Sequence, residues 1–271
     1  MISDITIGQY YKGDSFIHKL DARAKIILTV LFIAIIFLCK NFISLAVTLA
    51  LVLLSVLLSS VPFKMYLRSL KPIIPIVLFT AVLNMLYTGG ETVIISFWKL
   101  TLTTEGVFTA IFLAARIVLL IIASSILTYT TVPTMLTDAI EKLLSPLKLF
   151  KVPVQSWAMM MTLALRFIPT LIEEIEKITN AQKSRGADFE SGKLIERIKA
   201  VVPIIIPLFV SSFRRASDLA YAMSCRCYTG ADTRTRMKQM KMKLRDILCI
   251  IVFVACAAVI VLLNIKFGAV I

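Results

Sequence analysis

Residues 26–61 read IILTVLFIAIIFLCKNFISLAVTLALVLLSVLLSSV, an apolar run broken only at Lys40-Asn41. A helix that crosses a bilayer needs about 20 apolar residues, so this run is too long for one span and fits two. The polar break predicts a tight turn between the two spans. The first span is short unless it begins near Asp21. The stretch therefore predicts a membrane protein with helical spans, because a helix satisfies its own backbone polar groups in lipid.

The rest of the chain continues this pattern. Of its 271 residues, 59% are hydrophobic, whereas soluble domains have about 45–50%. Residues 73–87, 106–129 and 247–265 are further apolar segments, and we interpret each as one span. Residues 88–104 are predicted to form a loop that lies on the membrane surface. We therefore expect an all-α, polytopic membrane protein with about five transmembrane helices.

Charge is concentrated in one insert. Residues 131–245 hold 19 of the 30 Lys and Arg residues, and basic loops stay on the cytoplasmic side of a membrane. The sequence predicts a four-span region over 1–130, a cytoplasmic helical region over 131–245 and a last transmembrane helix over 246–271, with the N-terminus in the cytoplasm. The net charge of +14 then indicates contact with anionic lipid or an acidic partner rather than with nucleic acid.

Three helices are predicted within the insert, over residues 133–149, 155–183 and 193–228. The two longer helices each end in an Arg cluster, Lys183-Ser184-Arg185-Gly186 in one and Cys225-Arg226-Cys227-Tyr228 in the other. Both also contain apolar stretches that could enter the bilayer partway. The insert is therefore predicted to present a basic helical platform in the cytoplasm.

Catalytic and metal-binding patterns are weak in this sequence. Residues 186–194 come nearest to a phosphate-binding loop, but their spacing is wrong and Leu follows the Lys. The single histidine, His18, is interpreted as structural, and the acidic run at Glu173, Glu174 and Glu176 as a solvated helix face. The five cysteines are expected to be free thiols, since the C-x-C at 225–227 lacks zinc spacing. We expect no cofactor and no metal.

Arg116 is the one basic residue well inside a predicted span. It would serve either as a polar tie between spans or as part of an ion or substrate path, and the tie is favoured because no acidic residue lies mid-span. The same lack of acids argues against a stand-alone secondary transporter. An integral membrane enzyme is the other alternative, although the sequence shows no catalytic cluster.

Three motifs resemble a known family. Residues 8–25, which end in His18-Lys19-Leu20-Asp21-Ala22-Arg23-Ala24-Lys25, residues 181–187 and residues 214–228 are similar to motifs of the T component of energy-coupling factor (ECF) transporters, a CbiQ-like family. The resemblance implies a non-catalytic scaffold in a prokaryotic plasma membrane. It would join a substrate-binding S component to two ABC-type ATPases and support uptake of vitamins or trace nutrients.

The resemblance also implies which residues bind the ATPases. Arg185 and Arg226 match the two motif arginines of the family, each at the end of a coupling helix. Cys227 departs from the family's Gly and takes a positive φ less easily, so we expect the second helix end to differ in shape from the first. The other residues expected to take part in docking are Ser184, Gly186 and Cys225.

Overall fold

The fold is described by a computed structural model, which covers residues 10–88, 93–97, 100–187, 194–228, 230, 240 and 242–267. The first residues of the N-terminal motif, Gly8 and Gln9, and the predicted helix start at Lys193 lie outside the described residues. The described residues form two compact units. We call residues 10–139 with 240–267 the bundle unit, and residues 140–230 the helix-pair unit. The boundaries at 131 and 245 concern the two sides of a membrane and stay a prediction.

The bundle unit consists almost entirely of helices. Asp21 caps the first helix, accepting a hydrogen bond from the backbone N–H of Arg23. Helix α2 follows after a short turn at the predicted break, and α3 and α4 make a bent pair. The helices are α1 Ala22–Leu38, α2 Phe42–Ser59, α3 Phe63–Leu70, α4 Ile74–Tyr87, α5 Thr104–Thr130 and, at the end of the chain, α9 Leu244–Phe267.

The core of the bundle unit lies among α1, α2, α5 and α9. Ile36, Val52, Phe112 and Ile260 are each fully buried there. Lipid tails are as apolar as these side chains, so the helices associate through close van der Waals packing rather than by escaping from lipid. Helix α4 packs on α5 but buries none of its side chains fully, and its apolar surface is left exposed.

A short hairpin corrects the loop predicted over residues 88–104. Strand β1, Val93–Phe97, pairs antiparallel with β2, Leu100–Thr103. The segment is rich in β-branched and aromatic residues, which favour extended backbone. Thr103 then caps α5, because its hydroxyl accepts from the N–H of Gly106 and donates to the carbonyl of Thr88. The all-α class is confirmed, with this hairpin as a small addition.

The insert helices differ slightly from those predicted. The helix expected over 133–149 ends early, since α6, Pro133–Leu143, is followed by a 3-10 helix, Ser145–Phe150, at Pro146. Proline lacks the N–H that an α-helix needs at this point. The long helices are α7, Val154–Ser184, and α8, Leu194–Cys225.

Within the described ranges, four helices are long and apolar enough to cross a membrane by length and composition, and a fifth if the α3–α4 pair, bent by 58°, is one broken span. The count of about five is thus confirmed, but the helices that pass this test are not all those predicted. Helix α1 has 17 residues and is about 26 Å long, short of a 30 Å hydrocarbon core. Residues 199–225 of α8 pass the same test, because that helix runs on through Pro203 and Pro207, but the test concerns length and composition and does not assign the helix a crossing.

The C-terminal end of α1 is capped by side chains from other helices. Arg116 of α5 donates to the carbonyl of Cys39, and its guanidinium lies 4.7 Å from the centre of the Phe112 ring. Asn264 of α9 donates to the carbonyl of Leu38 over 2.6 Å. Carbonyls at a helix end need such donors, above all away from water. These contacts support the interpretation of Arg116 as a polar tie between helices.

Candidate functional site

The end of α7 is a Schellman motif. The N–H of Gly186 donates to the carbonyl of Lys183 over 2.9 Å, and the N–H of Ala187 to that of Gln182 over 3.0 Å. Gly186 has φ +86°, in the left-handed region that the motif requires. Arg185 is therefore the last residue before the chain turns away, and its side chain is exposed.

The end of α8 has the same construction. The N–H of Cys227 donates to the carbonyl of Ser224 over 2.9 Å, and the N–H of Tyr228 to that of Met223 over 3.0 Å. Cys227 takes φ +57°. The expectation that Cys227 would give this end a different shape is therefore wrong. Two backbone hydrogen bonds outweigh the cost of a left-handed non-glycine residue, which is about 1–2 kcal/mol.

The two motif arginines share one environment. Arg185 and Arg226 each follow the last helical residue, where a positive charge is favoured by the helix dipole. Both are exposed, and within the described part of the chain neither has a carboxylate within ion-pair distance. Each end thus presents an exposed guanidinium on ordered backbone. Their expected neighbours Ser184, Gly186, Cys225 and Cys227 are exposed as well.

A polar contact joins the two helices before these ends. Glu174 of α7 accepts from Ser211 over 2.8 Å and pairs with Arg215 of α8. Glu174 precedes Arg185 by 11 residues, and Arg215 precedes Arg226 by 11 residues. The helix ends at Arg185 and Arg226 therefore each lie about three helical turns, or about 16 Å, beyond the same contact. We call this contact the crossing tie.

The crossing tie was missed in the sequence. The acidic run was interpreted as a solvated face, but Glu174 is only 21% exposed and is bonded to α8. Glu173 does face solvent. A signal was present in the equal spacing of an acid and a base from their motif arginines. Among the described residues, no three His, Cys, Asp or Glu side chains gather where they could hold a metal ion.

The N-terminal motif lies within the bundle unit and bonds to it. His18 Nε2 donates to the carbonyl of Tyr11 over 2.9 Å, while Nδ1 is 2.6 Å from the Ser15 hydroxyl. A carbonyl only accepts, so a neutral His18 carries its proton on Nε2 and accepts from Ser15. Lys25 Nζ donates to the carbonyl of Thr130 over 2.8 Å. Both ring nitrogens of His18 are occupied, which supports its structural interpretation.

One buried carboxylate, that of Asp246, ties the start of α1 to the start of α9. Asp246 is 1% exposed and accepts from the backbone N–H groups of Asp21 and Lys243. Burial by itself would raise the pKa of Asp21, but hydrogen bonds and charge from Arg23, with the charge of Lys25, hold that pKa below its usual value. Asp21, Arg23 and Lys25 of this motif are therefore bonded within the protein.

Apolar side chains cover much of the helix-pair unit. On α8, Phe209 and Phe213 are each more than 60% exposed, and Trp157 on α7 is 65% exposed. An exposed apolar surface of this kind marks contact with lipid or with another protein.

Comparisons with known proteins agree with the motifs. The profile of the CbiQ family, described as cobalt transport protein, matches residues 13–238. A Clostridium kluyveri protein named energy-coupling factor transporter transmembrane protein EcfT is 51% identical over 266 residues, which are 98% of this chain and 97% of that one. Proteins of the same name from Ruminiclostridium cellulolyticum and Lactococcus lactis subsp. cremoris are 53% and 44% identical, covering 92% and 96% of this chain and 92% and 98% of their own.

These matches extend along nearly the whole chain and include both Arg-bearing helix ends. The resemblance inferred from the three motifs is thereby confirmed. The chain belongs to the family of energy-coupling factor transporter transmembrane proteins, and is a multi-pass membrane subunit of a transporter.

Proposed function

We propose that the chain is the non-catalytic transmembrane scaffold of an ABC-type ECF importer. In this role it couples ATP hydrolysis by two cytoplasmic ATPase subunits to uptake of a vitamin or trace nutrient, which a separate S component binds. The observation that carries the proposal is the pair of matching helix ends, each with an exposed arginine about three turns beyond the crossing tie.

The helix ends suit two copies of one kind of partner. Their backbone hydrogen bonds and their spacing from the tie are the same, so Arg185 and Arg226 are displayed in the same way. Arginine forms bidentate, charge-assisted bonds to carboxylates and loses little freedom when it does so. We infer that each ATPase subunit presents an acidic groove to one end, with Ser184 and Gly186, or Cys225 and Cys227, in van der Waals contact beside the arginine.

The crossing tie gives the two ends a common pivot. Because α7 and α8 are joined at Glu174 and Arg215, movement of one helix end is transmitted to the other helix. A change of distance between two ATPase subunits would then alter the angle between α7 and α8. The exposed aromatic residues, such as Phe209, Phe213 and Trp157, offer an apolar surface on the same two helices for the S component.

The membrane orientation follows from charge. With the N-terminus in the cytoplasm, the basic insert and residues 62–71 lie on the cytoplasmic side of the cell membrane, as the positive-inside rule requires. Both arginines then face the compartment that holds ATP.

Charge reversal tests the docking. We expect the double variant Arg185→Glu, Arg226→Glu to lose copurification with the ATPase subunits, since a carboxylate would face an acidic groove. Lys177→Glu on α7 and Arg214→Glu on α8 are matched controls, as both residues are exposed basic residues of the same helices. Intact complexes from the double variant, with unchanged stoichiometry, would contradict the proposal.

The scaffold role has a separate test. The purified chain alone should hydrolyse no ATP and transport no substrate in vesicles. Measurable ATP turnover in a clean preparation would favour an enzyme, and substrate uptake without ATPase subunits would favour a stand-alone secondary transporter.

A further inference from the structure

An apolar cavity of about 370 Å³ lies in the bundle unit between α1, α2, α5 and α9. Its walls are formed by side chains such as Phe32, Leu58, Leu127 and Val252. Small-molecule sites are commonly 300–1,000 Å³ in volume and mostly apolar, with a few polar groups that fix orientation. The size and lining of this cavity are therefore those of a binding site rather than of a packing defect.

One end of the cavity is basic. Lys25 and Arg245 belong to its lining, and both are held by neighbouring carbonyls of the N-terminal motif. One Nη of Arg245 donates to the carbonyl of Lys19. Its Nε is buried and has no acceptor among the described residues. A buried N–H without an acceptor is unfavourable, so this end of the cavity is suited to an anionic oxygen.

The charged residues around this end of the cavity are mostly basic. Residues 19–25 and residues 243–246 meet at this end of the cavity. Together they hold five basic residues and two carboxylates, Asp21 and Asp246. Both carboxylates already accept hydrogen bonds from the protein. The basic residues are Lys19, Arg23, Lys25, Lys243 and Arg245.

The apolar part is deep enough for a hydrocarbon chain. Its wall on α9 runs from Arg245 to Phe253 and its wall on α5 from Thr130 to Ala123, which correspond to about 12 Å and 10 Å along the helices. A phospholipid joins an anionic phosphate to two acyl chains, and the cavity offers space for part of one chain next to its basic end. Basic pockets between membrane helices bind such head groups.

We propose that this cavity binds one acyl chain of an anionic phospholipid, whose phosphate is bound by Arg245. The site is distinct from the docking ends of α7 and α8 and adds to the proposed function a dependence on anionic lipid.

Competition between two lipids tests the proposal. The full-length chain is purified in detergent, given equal amounts of phosphatidylglycerol and phosphatidylcholine with the same acyl chains, and analysed by native mass spectrometry. We expect retention of phosphatidylglycerol by the wild type, and about fivefold less in Arg245→Gln, since one basic residue at a membrane surface contributes about that factor. Cys249→Phe, which fills the cavity, should reduce retention without removing a charge.

Two matched controls and a soluble ligand complete the design. Lys243→Gln removes an exposed positive charge two residues from Arg245, and Cys256→Phe enlarges a cysteine of the same helix that does not line the cavity. Lys243→Gln should lose less lipid than Arg245→Gln, because Lys243 does not line the cavity, and Cys256→Phe should lose less than Cys249→Phe. Glycerol 3-phosphate should raise the melting temperature far less than phosphatidylglycerol.

Three results would overturn the proposal. These are equal retention of phosphatidylcholine by the wild type, unchanged retention in a monodisperse Cys249→Phe variant, and an equal loss in Lys243→Gln and Arg245→Gln. Should Arg245→Gln fail to fold, the Cys249→Phe result decides, because that variant keeps every charge in place.

Discussion

The helix-pair unit and the N-terminal motif of the bundle unit both carry arginines and lysines in family motifs, but the structure uses them in opposite ways. Arg185 and Arg226 are exposed, and among the described residues neither is paired with an acid. In the bundle, Arg23 is paired with Asp21, and Lys25 is bonded to carbonyls. A motif shared within a family therefore marks either a contact surface or an internal tie, and only the partners of each side chain distinguish the two.

The largest change in stability is expected at Asp246, on the bundle side of this comparison. Asp246→Ala removes a buried acceptor from two backbone N–H groups and should destabilise the chain by about 3 kcal/mol. Thermal unfolding in detergent measures this, with the exposed Asp218→Asn as control. If Asp246→Ala left stability unchanged and instead weakened partner binding, the N-terminal motif would be a docking surface and the contrast would fail.

The crossing tie is expected to have a smaller effect, because its side chains are 38% and 21% exposed and solvent screens the pair. A double-mutant cycle with Glu174→Gln and Arg215→Gln should give a coupling of about 1 kcal/mol in complex stability. The same variants should reduce uptake more than ATPase copurification, since the arginine ends remain intact. Equal losses in both would argue against a pivot.

Substitutions at Gly186 and Cys227 test whether the ends of α7 and α8 are built in the same way. Gly186→Ala places a Cβ at φ +86° and should weaken its end by about 1 kcal/mol, while Cys227→Gly should strengthen the other by somewhat less. Hydrogen exchange at the amides of Ala187 and Tyr228 reports each end separately. Among the described residues nothing lies within 4 Å of the position of a Cβ at Gly186, so the expected effect comes from the backbone.

Acid should weaken the bundle unit through Asp21, and this is the smallest expected effect. The pKa of Asp21 is lower in the folded protein than in the unfolded chain, so its contribution is full above the unfolded pKa of about 3.9. The contribution is lost as the pH falls through the folded pKa. Thermal stability measured between pH 6 and pH 3 should therefore fall less steeply in Asp21→Asn than in the wild type.

Much of the fold and of the candidate site was predictable from local sequence patterns. Apolar runs predicted the helices of the bundle, because backbone polar groups in lipid must be satisfied within the protein. The motifs predicted Arg185 and Arg226 as residues at the ends of two helices. Which helices are long enough to cross a membrane was harder to predict. Helix α8 is long because it continues through Pro203 and Pro207, where proline favours a bend or break, whereas α1 has only 17 residues.

The amino-acid sequence by itself determined that the chain is a helical membrane protein with a basic insert, since hydrophobic length and charge act locally on each segment. Only the tertiary structure decided that Glu174 meets Arg215 and that a basic-ended cavity lies among four helices. Each of these depends on residues far apart in the chain, and no single segment specifies them. The conformation of Cys227 is a local matter, since two hydrogen bonds within residues 223–228 outweigh its preference for a negative φ.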